Sequence, residues 1–255
     1  MRASRKSGRR LISRPVASQR DVLNFFDQAA AQYQDSHGPA ARLLAYRLEI
    51  LNRMLPATGG TLVEVGCGTA MHLYGLADRF ERAIGLDLSP AMIARCKRER
   101  SNHSGSDRVQ FAVDTAETLE ALTDVTVDAL IGVGVFEHVL DRPKALAQVF
   151  RVLRPGGVFA CLTPNGAYLW YTHIAPWLGL ETRHLSSDRF LSEPEWRDLL
   201  TAAGFRDITV HPWTFIPRGD MPSACGKALG WLDGVARPFR GKRLRGGLAI
   251  RALKP

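Results

Sequence analysis

From about residue 61 onward, short apolar runs alternate with stretches whose apolar residues recur every three or four positions. The runs over 61–65, 82–87, 109–113, 127–133 and 158–162 have the length and β-branched content of buried strands, and the stretches between them have helical spacing. Strand alternating with helix predicts a doubly wound α/β sheet. Ahead of it, Val22, Phe25, Phe26 and Ala29 draw an apolar stripe along a helix over about 18–33, and a second helix is expected over 37–55. Behind it, Ser192-Glu193-Pro194-Glu195 reads as a capping box that opens a helix ending at Gly204. Residues 205–211 and 247–254 then predict two more strands, with an amphipathic helix over 223–236 between them. No apolar run approaches the roughly 18 residues a membrane span needs.

The first strand runs into chemistry. Residues 62–70 read Leu-Val-Glu-Val-Gly-Cys-Gly-Thr-Ala, a strand that breaks at Gly66, turns again at Gly68 and enters a helix near Ala70. Two glycines let backbone amides approach a ligand closely, and a helix start favours negative charge, so a nucleotide-like cofactor is expected. A dinucleotide fingerprint needs a third glycine where Met71 stands, which argues against a pyrophosphate.

With Glu64 two residues before the first glycine, this segment resembles motif I of the class I S-adenosylmethionine-dependent methyltransferases. The resemblance continues in chain order through Asp87 at the end of the second strand, Asp114 after the third, Phe136-Glu137-His138-Val139 after the fourth and Arg154-Pro155-Gly156-Gly157 before the fifth. It implies a seven-stranded Rossmann-like methyltransferase sheet with an antiparallel last strand and added N-terminal helices. It implies S-adenosyl-L-methionine as cofactor, Asp87 on the ribose hydroxyls and Asp114 on the adenine amino group. Glu64, Gly66, Cys67, Gly68, Leu88, Thr115 and Val133 complete the expected cofactor set, together with Tyr33 and Arg42 from the N-terminal helices, which in related enzymes lie over the cofactor. The later pattern from His184 through Phe190 to the Trp196-bearing helix resembles the branch that O-methylates ubiquinone precursors and similar phenols. That branch has Glu-x-x-Glu-His where a metal site is formed; here the first acid is replaced by Gly134, leaving Glu137 and His138, so no metal is predicted.

Methyl transfer to oxygen needs the acceptor's proton removed, and histidine titrates near neutral pH. His138 after the fourth strand leads as that base, with His184 as second candidate. Residues 165–191 form an insertion with four large aromatics within ten residues, so Tyr168, Trp170, Tyr171 and His173 are expected to wall an apolar acceptor pocket.

Charge adds a second theme. The chain of 255 residues carries a net +9, yet residues 1–20 and 237–255 each hold seven Arg or Lys and no acid, leaving the middle with 20 basic against 25 acidic residues. Residues 1–17 read as a basic disordered tail and 18–255 as one domain, divided at 56, 164 and 191. The basic ends suit peripheral contact with an anionic membrane better than with nucleic acid. The N-terminus also has the composition of an organelle transit peptide, which would place the chain in a matrix rather than the cytoplasm. Four widely spaced cysteines, Cys67 in the glycine loop among them, suit a reducing compartment. The sequence reading is therefore an O-methyltransferase of an apolar or aromatic small molecule, quinone-, polyketide- or lipid-like. A nucleic-acid methyltransferase or a noncatalytic cofactor-binding protein are the alternatives. Oligomeric state is not legible.

Overall fold

A computed structural model describes residues 14–30, 40–103, 105–213 and 242–255. Its frame is a seven-stranded sheet of β1 (Gly59–Val65), β2 (Phe80–Asp87), β3 (Val109–Val113), β4 (Val127–Val133), β5 (Leu153–Pro164), β6 (Arg206–Trp213) and β7 (Gly247–Leu253), in spatial order β3-β2-β1-β4-β5-β7-β6. The first five strands run parallel, and β7 lies antiparallel between β5 and β6. Because the order reverses between β1 and β4, their carboxyl ends open a crevice there, where ligands of doubly wound sheets bind.

Side chains alternate across the sheet and build two cores. Val63, Val65, Leu130, Phe159 and Cys161 face one side, where α5 (Arg142–Val152) and α7 (Glu193–Ala202) cover them through Leu146, Val149, Trp196 and Leu200. Leu62, Ile131, Ala160 and Leu162 face the other, against α2 (Ala40–Met54), α3 (Met71–Leu76) and α4 (Pro90–Glu99) through Leu51, Leu73 and Ile93. Strands buried on both faces explain the unbroken apolar runs of the sequence.

Two helices start as their sequences dictate. Ser18 and Asp21 box the start of α1 (Gln19–Ala29), and Ser192 and Glu195 do the same for α7. The largest departure is in β5. The Arg154-Pro155-Gly156-Gly157 segment, expected as a turn before the strand, is a bulge inside it: Val127 pairs with Leu153 and Ala129 with Val158, so the four residues are looped out of the ladder with β4, while Gly156 and Gly157 bond Lys254 on the other side. Residues 14–17, expected in the tail, are docked: Arg14 bridges Leu185, and Val16 N donates to Ser186 Oγ at 2.9 Å. The helix expected over 223–236 lies outside the described residues, among which no helix is long and apolar enough to cross a membrane.

Candidate functional site

The crevice is lined from α1 by Gln19, Val22 and Phe26, from the strand ends by Gly66, Gly68, Asp87, Leu88, Asp114 and Thr115, and from the segment after β4 by Gly134, Val135 and His138. It spans about 730 Å³ of space, part of it continuous with solvent.

Its nucleotide side is built on the glycine loop. Gly66 has φ +65°, and a Cβ there would come within 2.5 Å of Val135 Cγ2, so both the backbone conformation and the space require glycine. Asp87 closes the loop from the end of β2, its Oδ2 accepting Gly68 N at 2.8 Å and its Oδ1 accepting Ser89 N at 2.9 Å. Burial lifts this carboxyl above its ordinary pKa; the two amides pull the other way, and Glu64 and Asp27 add to the rise. A buried acid held at a strand end, with lone pairs to spare, fits paired hydroxyl donors. Apolar walls from Leu88, Met92 and Ala116 fit a flat base beside it. The residues present thus fit the nucleoside of S-adenosylmethionine.

Asp114 lines the same wall, but its carboxylate accepts Thr115 N at 2.7 Å, Thr118 Oγ1 at 2.7 Å and Ala121 N at 2.8 Å. It shapes the turn that carries Thr115 and Glu117 into the cleft. Glu64 is buried behind the loop, where it accepts Leu73 N at 3.2 Å and meets His72 at 3.1 Å, so it secures the start of α3. Cys67 and Val133 are also buried behind the lining. The Cys67 thiol is raised well above its usual pKa by its contact with Cys96 and by burial, which leaves it unreactive. Tyr33 lies outside the described residues, and Arg42 falls in α2 with its side chain outside them.

On the other side of the cleft, Phe136 is anchored in the core between Phe159 and Trp196, at 5.3 and 5.8 Å between ring centroids. The Arg142 guanidinium holds the carbonyls of Phe136 at 3.0 Å and Glu137 at 2.7 Å. This presents His138 to the cleft, with the Phe26 ring edge-on to it at 5.1 Å. His138 Nδ1 lies 2.7 Å from Asp188 Oδ1. Burial alone would lower the His138 pKa, but the Asp188 hydrogen bond and the charges of Glu137 and Asp188 outweigh it and the net shift is upward. Burial opposes ionisation of Asp188 as well, yet the bond to His138 and the amides of Leu185 and His184 hold it below its ordinary value. The His184 ring lies 6.4 Å from that of His138 and is not part of the lining.

The expected acceptor wall is corrected. Tyr168 and Trp170 are buried with Ala175, while Tyr171 packs against Tyr168 at 5.3 Å and Phe190 at 4.7 Å. His173 is exposed and meets Thr172 Oγ1 at 2.6 Å. None of the four lines the cleft. A π-helical turn (Trp170–Ile174) running into the short α6 (Ala175–Trp177) folds the aromatics onto one another, because a stretch this apolar satisfies itself by making a small core.

Sequence reasoning missed the contacts that fasten the cover and the partner of His138. Glu117 accepts Gln19 Nε2 at 3.0 Å, Leu140 N at 2.9 Å and Asp141 N at 2.8 Å, and Asp27 takes Ser89 Oγ and Ala91 N, so α1 is fastened over the cleft at both ends. The stripe of α1 was visible, and the resemblance implied that this helix lies over the cofactor; the residues that fasten it were not visible. Asp188, between His184 and Phe190, carried no local signal.

Comparison with known proteins bears on the family and the fold. Residues 63–161 match the family described as methyltransferase domain. A 2-methoxy-6-polyprenyl-1,4-benzoquinol methylase of Schizosaccharomyces pombe is 30% identical over 166 residues, covering 58% of this chain and 53% of that protein. A ubiquinone biosynthesis O-methyltransferase of Ruegeria pomeroyi is 27% identical over 214 residues, covering 75% of this chain and 84% of its own. Among solved structures, Haemonchus contortus phosphoethanolamine N-methyltransferase 2 in complex with S-adenosyl-L-methionine shares the fold with a TM-score of 0.66 at 20% identity, covering 94% of this chain and 60% of that one. The chain spans about half the length of several curated relatives it matches.

Proposed function

We propose that the chain, whose residues 63–161 match a methyltransferase domain, transfers a methyl group from S-adenosylmethionine to oxygen on an apolar or aromatic small molecule. Bound in the cleft, S-adenosylmethionine supplies an electrophilic methyl on a sulfonium. The residues supply the rest: Gly66, Gly68 and Asp87 hold the nucleoside, α1 keeps water out, and His138 removes the acceptor's proton. One observation carries this reading. The wall facing the nucleoside cradle presents an imidazole whose Nε2 has no hydrogen-bond partner among the described residues, while its Nδ1 is engaged. The benzoquinol and the ubiquinone biosynthesis in the names of two relatives support a phenol-like acceptor.

The test begins by finding the acceptor, using mass spectrometry of low-molecular-weight extracts incubated with the protein and labelled cofactor, with RNA and lipid fractions run separately. His138→Ala should then lower turnover by about a hundredfold to ten-thousandfold while S-adenosylhomocysteine affinity stays constant. Full turnover in a folded His138→Ala protein would remove the base, and labelling confined to RNA would move the acceptor to nucleic acid.

A further inference from the structure

His138 is held from the side away from the cleft. The Asp188 side chain that meets its Nδ1 is wholly enclosed, and the second carboxylate oxygen takes the amides of His184 and Leu185 at 2.9 and 3.0 Å. That turn is braced in its own right: Arg14 N donates to His184 O at 3.0 Å and Ser186 N donates to Arg14 O at 2.8 Å. An ionised carboxylate only accepts hydrogen bonds, so Nδ1 carries the hydrogen and Nε2 is left bare in the neutral ring. We propose that Asp188 is a positioning residue for methyl transfer, fixing His138 in the tautomer whose bare Nε2 faces the acceptor and balancing the imidazolium formed there. The proposal rests on the reading of His138 as the base.

The step balances. The acceptor O–H bond breaks as its oxygen bonds the methyl carbon, the proton passes to Nε2, and the electron pair of the broken C–S bond stays on sulfur. Positive charge thereby moves from the sulfonium to the imidazole, beside Asp188. Three other groups face the ring. The Glu137 charge favours the imidazolium and the Arg142 charge opposes it, but the Arg142 guanidinium is occupied by backbone carbonyls, and the His184 ring stands 6.4 Å away. Asp188 alone of these is seen bonded to a ring nitrogen of His138, so its removal changes tautomer and pKa together.

The test needs no acceptor. Nitrogen–proton correlation NMR of the His138 imidazole is read in the full chain saturated with S-adenosylhomocysteine, with His138→Gln giving the assignment. The wild type should show hydrogen on Nδ1 and a bare Nε2, with a titration midpoint above the usual histidine value. Asp188→Asn should lower the midpoint by about one to three pH units, and Asp188→Glu should retain most of the rise, with S-adenosylhomocysteine affinity unchanged in both. A wild-type ring protonated on Nε2 overturns the proposal even if neither variant folds, as does a midpoint that Asp188→Asn leaves in place. Failure of S-adenosylhomocysteine to bind the wild type would instead overturn the methyl-transfer reading, which the imidazole signal does not measure.

Discussion

The Asp87 carboxylate is engaged by two backbone amides, Gly68 N and Ser89 N, before any ligand arrives, and burial still lifts its pKa. Hydroxyl donors of a bound ribose favour the ionised form, so the sign of the pH effect follows. Affinity for S-adenosylhomocysteine should be full above the raised carboxyl pKa and fall as pH drops through it, and calorimetry across the acid range reads this directly. Asp87→Ala should weaken binding by about 1.5–3 kcal/mol and flatten that dependence. Unchanged affinity in a folded variant would misplace the nucleoside. His138 titrates in the opposite sense: its folded pKa is raised, so the stability it contributes is complete below the unfolded histidine value and is lost as pH rises through the folded one. Asp87 was legible in the sequence because a strand end and a glycine loop fix it locally. Asp188 was not, because its partner is 50 residues away and only the folded chain brings them together.

Among the elements, periodicity found helices and strands but not what their faces meet. The Val22–Phe26 stripe of α1 points inward as expected, yet inward here includes the ligand cleft, and an apolar stripe reads the same over a core or over a cofactor. The aromatic insertion erred the other way: its position beyond β5 suggested a pocket wall, and its composition built a small core. Trp170→Ala should therefore lower unfolding free energy by about 3 kcal/mol and leave S-adenosylhomocysteine affinity constant, as denaturant titration and calorimetry will show. A variant of unchanged stability whose acceptor Michaelis constant alone rises would restore the pocket reading. The looped-out Arg-Pro-Gly-Gly segment of β5 hid for a simpler reason, since its turn chemistry is the same inside a strand as before one.

Over the whole molecule, the parallel sheet and the glycine turn at the crevice were written in strand spacing and glycine placement, whereas the pairing of His138 with Asp188 depends on contact between distant segments. The charge distribution gives a prediction of its own. Arg14 pairs with Leu185, on the same insertion that exposes Ile174, Trp177 and Leu178, with Trp177 84% exposed. Co-sedimentation with anionic liposomes should be strong at low salt, weaker at high salt and reduced in a variant lacking residues 1–12, at up to about 1 kcal/mol per cation near the lipid. Binding indifferent to lipid charge and salt would refute the electrostatic attraction. The position of β7 carries a consequence for how the chain is made. Among the described residues, those lining the cleft lie between 19 and 140, and the strand that joins β5 to β6 is the last of the seven strands to be translated. The nascent chain thus holds these lining residues while the β5 edge is still bare and β6 still lacks its neighbour. That interval on the ribosome is when this protein is most open to wrong strand pairing and to capture by a chaperone.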